Sequence, residues 1–166
     1  MLETKLNTQL HLRSAKSDDI PILVRHHCLM FEEILILKGM DIDNATFNKI
    51  ETSQNDKLEK QISDGSCVAW LVEYNKEIVA SGAISIISMV PVPDDPSHEV
   101  AYLHSMYTEK NFRGKKLAHR IIDEAMHYCK SKGIKRMILA ASDAGRPLYQ
   151  QIGFQPAKNL MRFWIK

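Results

Sequence analysis

The sequence predicts a single α/β domain over residues 1–166, with a central sheet covered by helices on both faces. Two observations carry this. The predicted elements run strand, two helices, three strands, helix, strand, helix, strand, with no repeat, low-complexity tract or linker dividing them. The 166 residues, 45% hydrophobic and 25% charged, suit one domain able to bury a core without disulfides or metal.

Leu10 and Leu12 alternate with polar neighbours as a short strand. Ser17 or Asp18 then offers an N-cap and Pro21 sits in the first turn, so a helix starts there. Ile20, Leu23, Val24, His27, Phe31, Ile34 and Leu35 recur at helical spacing, and Gly39 ends the helix near Lys38. A second helical stretch, Asn44 to Ser63, has a weak centre at Thr52 to Asp56 and reads as one helix or two short ones. Cys67 to Val72 and Ile78 to Met89, rich in Val, Ile, Ala and Trp, form a hairpin turning at Asn75 and Lys76.

Three prolines in Pro91–Pro96 remove ladder donors and make that segment a loop before the strand His98 to Met106. A helix follows from about Lys115 to Lys132, with Leu117, Ile121, Ile122, Ala125 and Cys129 on one face and Gly133 as its stop. A strand Met137 to Ala141, a short helix Arg146 to Gln151 and a last strand Met161 to Ile165 complete the chain.

Charge excludes two classes of partner. The 22 basic and 20 acidic side chains sum to +2, too balanced for a protein built to hold a nucleic-acid backbone or an anionic membrane. Cys28, Cys67 and Cys129 form no Cys-x-x-Cys pair, so neither a disulfide framework nor a metal site is expected. Met1 to Leu10 lacks an apolar run, and no stretch of about 18 apolar residues occurs, which predicts a soluble cytoplasmic protein.

The chemistry concentrates after the third central strand. In Tyr107–Ala118 a strand ends, a basic loop turns at Gly114 and a helix begins, with Lys110, Arg113, Lys115, Lys116 and Arg120 adding charge to the free N–H groups of the helix start. That arrangement binds phosphate, and its plainer reading is a solvated basic turn. Further on, Ser142–Phe154 follows a strand and places Tyr149 on a short helix ended by Gly153-Phe154.

Together the two segments resemble the GNAT superfamily of acyl-CoA-dependent N-acyltransferases. The first is similar to its Arg/Gln-x-x-Gly-x-Gly/Ala pyrophosphate loop, met by Arg113, Lys116 and Ala118. The second is similar to its Asn-x-x-Ala-x-x-x-Tyr-x-x-x-Gly-Phe block. Lys116 stands where that pattern has glycine, which a helical φ accommodates, Ser142 stands for asparagine and Gly145 for alanine.

The resemblance implies a mixed, mostly antiparallel sheet with a splayed, bulged strand at the cofactor site and acetyl-CoA as acyl donor. It puts the backbone of Met106, Tyr107 and Thr108 along the pantetheine arm, the loop Arg113, Gly114, Lys115, Lys116, Leu117 and Ala118 around the pyrophosphate, and Ser142 and Arg146 beside the cofactor. Tyr149 becomes the proton donor to the departing thiolate; otherwise it is a tyrosine packed on the sheet. For the base that deprotonates the amine, His104 matches a histidine of the arylalkylamine acetyltransferases that acts through water, and imidazole titrates near working pH. Its other reading is a histidine satisfied within the sheet. Glu99, on the same strand, is the reserve.

The function implied is transfer of an acetyl group from acetyl-CoA to a primary amine of a small molecule by direct attack. The alternative keeps fold and cofactor without turnover, as an acyl-CoA sensor or regulatory module. A general nucleotide-binding domain is disfavoured by the absence of Gly-x-x-x-x-Gly-Lys-Ser/Thr and Gly-x-Gly-x-x-Gly. His26, His27, Glu32, Glu33, Asp41, Asp43, Asp94 and Asp95 lie in the first two helices, their connection and the loop, and their acidity suggests a cationic amine; solvated surface carboxylates are the plainer reading. Met30, Phe31, Met40 and Phe47 wall an apolar pocket or belong to the core. Relatives often dimerise through their last strands, so Phe163 and Trp164 are candidate homodimer contacts.

Overall fold

The computed structural model describes residues 10–158 and 160–165; Met1–Gln9, Asn159 and Lys166 lie outside the described residues, and with them most of the reading of the start of the chain. Five strands and four helices make the domain: β1 (Leu10–Ser14), α1 (Ile20–Leu37), α2 (Asn44–Asp64), β2 (Cys67–Tyr74), β3 (Glu77–Ser88), β4 (Glu99–Thr108), α3 (Leu117–Ser131), β5 (Arg136–Leu139) and α4 (Arg146–Ile152). The strands lie side by side in the order β1-β2-β3-β4-β5, antiparallel except for the parallel β4–β5 pair.

Successive side chains of a strand point to opposite faces, and here both faces are covered. Cys67, Ala69, Leu71 and Ala83 pack with Ile20, Leu23, Val24 and Cys28 of α1 and Leu58 of α2. Trp70, Val72, Ala80, Ile84, Ala101 and Leu103 pack on the other face against Leu117, Ile121, Ile122, Ala125 and Cys129 of α3. The α3 residues are the face predicted from spacing.

One alternative is settled and two expectations are corrected. The segment Asn44–Asp64 is one continuous helix, not two short ones. Asp43 caps it by accepting from the Thr46 backbone N–H at 2.9 Å, the Thr52 hydroxyl donates to the Asn48 carbonyl at 3.0 Å, and buried Gln54 and Leu58 anchor the polar centre to the protein. The helix at the basic loop starts at Leu117, because Lys116 is left-handed at φ +59°. Met161–Ile165 forms no strand: Met161, Phe163, Trp164 and Ile165 are exposed, and β5 pairs only with β4 among the described residues.

The Pro91–Pro96 loop is held down from β5. Arg136 donates to buried Asp95 at 2.7 Å and to the Ser97 carbonyl at 3.0 Å. Hydrogen bonding from Ser97 and the Arg136 guanidinium hold the Asp95 carboxyl below its usual range. This acid is structural and does not line the cleft described below.

Candidate active site

The site begins with one extra residue in β4. Ser81 pairs with Tyr107 and Ala83 with His104, so Gly82 alone opposes both Ser105 and Met106. Ser105 takes up the mismatch at φ +55°, a left-handed conformation that is uncommon for serine. The bulge puts two consecutive side chains, His104 and Ser105, on the face toward α1 and α2.

The parallel β4–β5 pairing covers Val100–Leu103 against Arg136–Leu139 and ends there. Beyond it the strands part around a cleft of about 920 Å³. Its lining includes His104, Ser105, Met106, Tyr107 and Thr108 from β4, Ala140 and Ser142 after β5, and Tyr149 from α4. The splayed, bulged strand inferred from the motifs is therefore present.

A polar chain runs across the acceptor end of the cleft. His27 Nδ1 lies 2.8 Å from Ser105 Oγ, which lies 2.9 Å from His104 Nδ1. His104 Nε2 lies 2.8 Å from Ser85 Oγ, which donates to Gln61 Oε1 at 3.2 Å and accepts from Lys57 Nζ at 3.0 Å. With the single Ser85 proton on Gln61, the His104 ring donates from Nε2 and accepts at Nδ1 from Ser105, which accepts from His27 Nδ1. His27 Nε2 is then the open acceptor of the chain.

Burial, followed by the nearby Lys57 and His27, lowers the His104 pKa to about 3. Burial and Lys57 lower that of His27 to about 4. His104 is thus neutral throughout the physiological range, correcting the expectation that it titrates near working pH. Both its ring nitrogens already face serine hydroxyls. A third histidine, His26, is fully buried between α1 and the sheet, 2.8 Å from Ser81 Oγ, and burial lowers its pKa to about 4. It pins α1 to β3.

At the opposite end, Arg113, Gly114, Lys116, Leu117, Ala118 and His119 line the cleft at the N-terminus of α3. The first-turn N–H groups of a helix have no intrahelical acceptor, and no side chain caps this one. Nothing lies within 4 Å of where a Cβ would stand on Gly114, whose φ is +75°. Lys116 keeps the left-handed backbone that favours the glycine it replaces, at a cost of about 1 kcal/mol. These features fit a diphosphate: an open backbone cradle, a helix N-terminus and the cationic side chains of Arg113 and Lys116.

Arg113 is already engaged. It grips Glu33 of α1 at 2.7 and 2.8 Å and donates from Nε to the Thr108 carbonyl at 2.9 Å. Lys115 turns to the Asn111 carbonyl at 3.1 Å and does not line the cleft. Ser142 Oγ accepts from the Gly145 N–H at 3.1 Å, so it shapes the start of α4 as well as lining the cleft. Exposed Arg146 stands 4.0 Å from Asp143, outside the lining. Tyr149 packs edge-on against Phe154, and burial raises its phenol pKa, keeping the proton on oxygen. Glu99 is exposed at the start of β4 opposite Ser88, away from the cleft.

Of the acidic residues expected to receive an amine, only Glu33 lines the cleft, and it is already engaged. Asp43 caps α2, Asp95 holds Arg136, and Glu33 holds Arg113. Glu32, Asp41 and Asp94 do not line the cleft. The reading from sequence missed Ser85, Ser105, Lys57 and Gln61. A signal existed for the first: Ser81 and Ser85 share one face of a strand whose interior is otherwise apolar or glycine.

Comparison with known proteins agrees with this geometry. A family model described as the Acetyltransferase (GNAT) family matches residues 37–154. An uncharacterized N-acetyltransferase of Escherichia coli K12, YjgM, is 30% identical over 103 residues, 60% of this chain and 58% of its own length. The chain thus spans little more than half of that curated relative. A predicted acetyltransferase of Clostridium acetobutylicum, solved with acetyl-CoA, superposes with a TM-score of 0.81 at 27% identity, covering 93% of this chain and 95% of its own. A GCN5-related N-acetyltransferase of Ralstonia eutropha JMP134 shares the fold at 23% identity and a TM-score of 0.83, over 93% and 98%. With more than half its residues matched, this chain belongs to the GNAT family of acetyltransferases.

Proposed function

We propose that the protein is an N-acetyltransferase that uses acetyl-CoA and acts on a primary amine of a small molecule. The observation that supports this most is the continuity of one cleft, from the free helix N-terminus at Leu117, past Tyr149, to the His104–Ser105 pair made by the bulge. When bound, acetyl-CoA supplies the activated acyl group. The α3 N-terminus and the Gly114 loop would hold its phosphates, and the β4 edge at Met106–Thr108 would align its arm.

A protonated amine must lose a proton before it can attack. Because the His104 nitrogens face Ser85 and Ser105, the proton reaches this histidine through a hydroxyl or a water, and the chain to His27 spreads the charge over a second ring. With pKa values of about 3 and 4, His104 and His27 would hold the amine's proton only in passing and release it to solvent water through the open His27 Nε2. Tyr149, still protonated, returns one to the departing thiolate. Glu99 would need a chain of waters from outside the cleft to take the same part.

The test is calorimetry with acetyl-CoA followed by thiol release across amines. Binding with release on at least one amine supports the reading; binding without release on any amine favours the sensor; no binding removes both. The three buried free cysteines support a reducing, cytoplasmic location, and among the described residues no helix is long and apolar enough to cross a membrane. Exposed Phe163 and Trp164 support a homodimer, which sedimentation of the wild type against Trp164→Asp would check.

A further inference from the structure

The acceptor end of the cleft contains one charge without a counter-ion. Lys57 projects from α2 into the cleft beside His104, half-buried, with Nζ 3.0 Å from Ser85 Oγ and 3.4 Å from His104 Nε2. An ammonium has three N–H donors, so at least one stays unused. Among the described residues no carboxylate forms an ion pair with Lys57. The only carboxylate in the cleft lining, Glu33, is clamped by Arg113 and also accepts from the Tyr107 hydroxyl at 3.4 Å.

Taking a cation partly out of water is costly unless an anion meets it. The same cleft has an apolar wall made by Met30, Phe31, Ile34 and Leu37 of α1 and Ile87 of β3. Gln54 and Gln61 of α2 add neutral polar groups on the same side.

We propose that the acceptor is an amine carrying a carboxylate and an apolar side chain, of the size of a hydrophobic amino acid, with the carboxylate seated on Lys57. This rests on the acetyltransferase reading above and narrows its substrate class. It replaces the cationic amine suggested by composition, because of the acids that suggested it only Glu33 lines the cleft, and Arg113 holds it. The Lys57 charge also favours the neutral, attacking form of a nearby amine, by the repulsion that adds to burial in lowering the pKa values of His27 and His104.

The test uses a matched pair differing only in the carboxylate: N-acetyl-L-leucine and N-isopentylacetamide, titrated by calorimetry into the protein with coenzyme A present. The carboxylate probe is expected to bind about ten- to a hundredfold tighter, the range of a hydrogen bond between charged groups. Lys57→Met should erase the difference and Lys57→Arg should retain most of it. Equal binding of the two probes to the wild type, a preference that survives Lys57→Met, or no binding of either probe overturns the proposal. Thiol release with L-leucine against isopentylamine separates it from the parent reading. Lys57-dependent binding with no release from any amine removes the acetyltransferase reading alone. Release with isopentylamine but not leucine removes the carboxylate alone.

Discussion

Gly82 of β3 makes room for the side chain of Met106 in β4. A methyl group on residue 82 would strike the Met106 thioether and come within 2.9 Å of Ile121 Cγ2. The bulge that brings His104 and Ser105 to the cleft thus depends on an absent side chain one strand away. Gly82→Ala is expected to destabilise the protein by about 1–3 kcal/mol through overpacking. Adding Met106→Ala should recover part of the loss, as a denaturant double-mutant cycle would measure.

Tyr149→Phe removes the phenol proton and little volume. Turnover should fall about a hundredfold, the low end of general acid catalysis, with acetyl-CoA affinity changed less than about twofold. Stopped-flow thiol release and calorimetry read the two separately, and an unchanged rate would take Tyr149 out of proton transfer.

Glu33 occupies the Arg113 guanidinium, so a cofactor phosphate reaching for Arg113 would have to compete with it. Glu33→Gln should free it and tighten acetyl-CoA binding severalfold, more strongly at low salt, whereas Arg113→Ala should weaken binding. A weaker complex on Glu33→Gln would show instead that Glu33 holds Arg113 in its binding pose.

Acid should unfold the protein early. His26, His27 and His104 have folded pKa values of about 4, 4 and 3, below the ordinary 6.5. The unfolded chain takes up protons first, so stability is complete above pH 6.5 and is lost as pH falls toward 4. For fully buried His26 the loss by pH 4 is roughly 3 kcal/mol. Melting temperatures from pH 7.5 to 4.5 should fall steadily, and His26→Asn, which retains a partner for Ser81, should flatten the curve. The same His104 value predicts that its titration puts no limb on the pH–rate profile above pH 5.

Element order and the α3 face were legible because helical spacing and strand alternation are local. The Lys116 conformation was not. A lysine there argues for helix by propensity, yet the turn from β4 into α3 imposes φ +59°. The tail was misread for a related reason: Met161, Phe163, Trp164 and Ile165 have strand propensity, but a strand needs a partner edge, which no local pattern reports. The basic loop and helix start that the motifs singled out do line one end of the cleft, and they were legible because they fall in one continuous segment. The acceptor end joins α1, α2, β3 and β4, residues 27 to 105, and only their packing brings Lys57 to His104.

The parting of β4 and β5 after Leu103 and Leu139 has an effect on the whole molecule. An unpaired strand edge at the rim of a sheet invites another chain to add to it. Here the edge is the end of β4, beside the last strand of the sheet, and it faces a cleft rather than another molecule, so a ligand able to hydrogen-bond as a strand does would extend the sheet as it binds. Binding and sheet extension would then be one event. Ligand should slow amide exchange at Met106–Thr108 and tie β5 more firmly to the rest of the sheet.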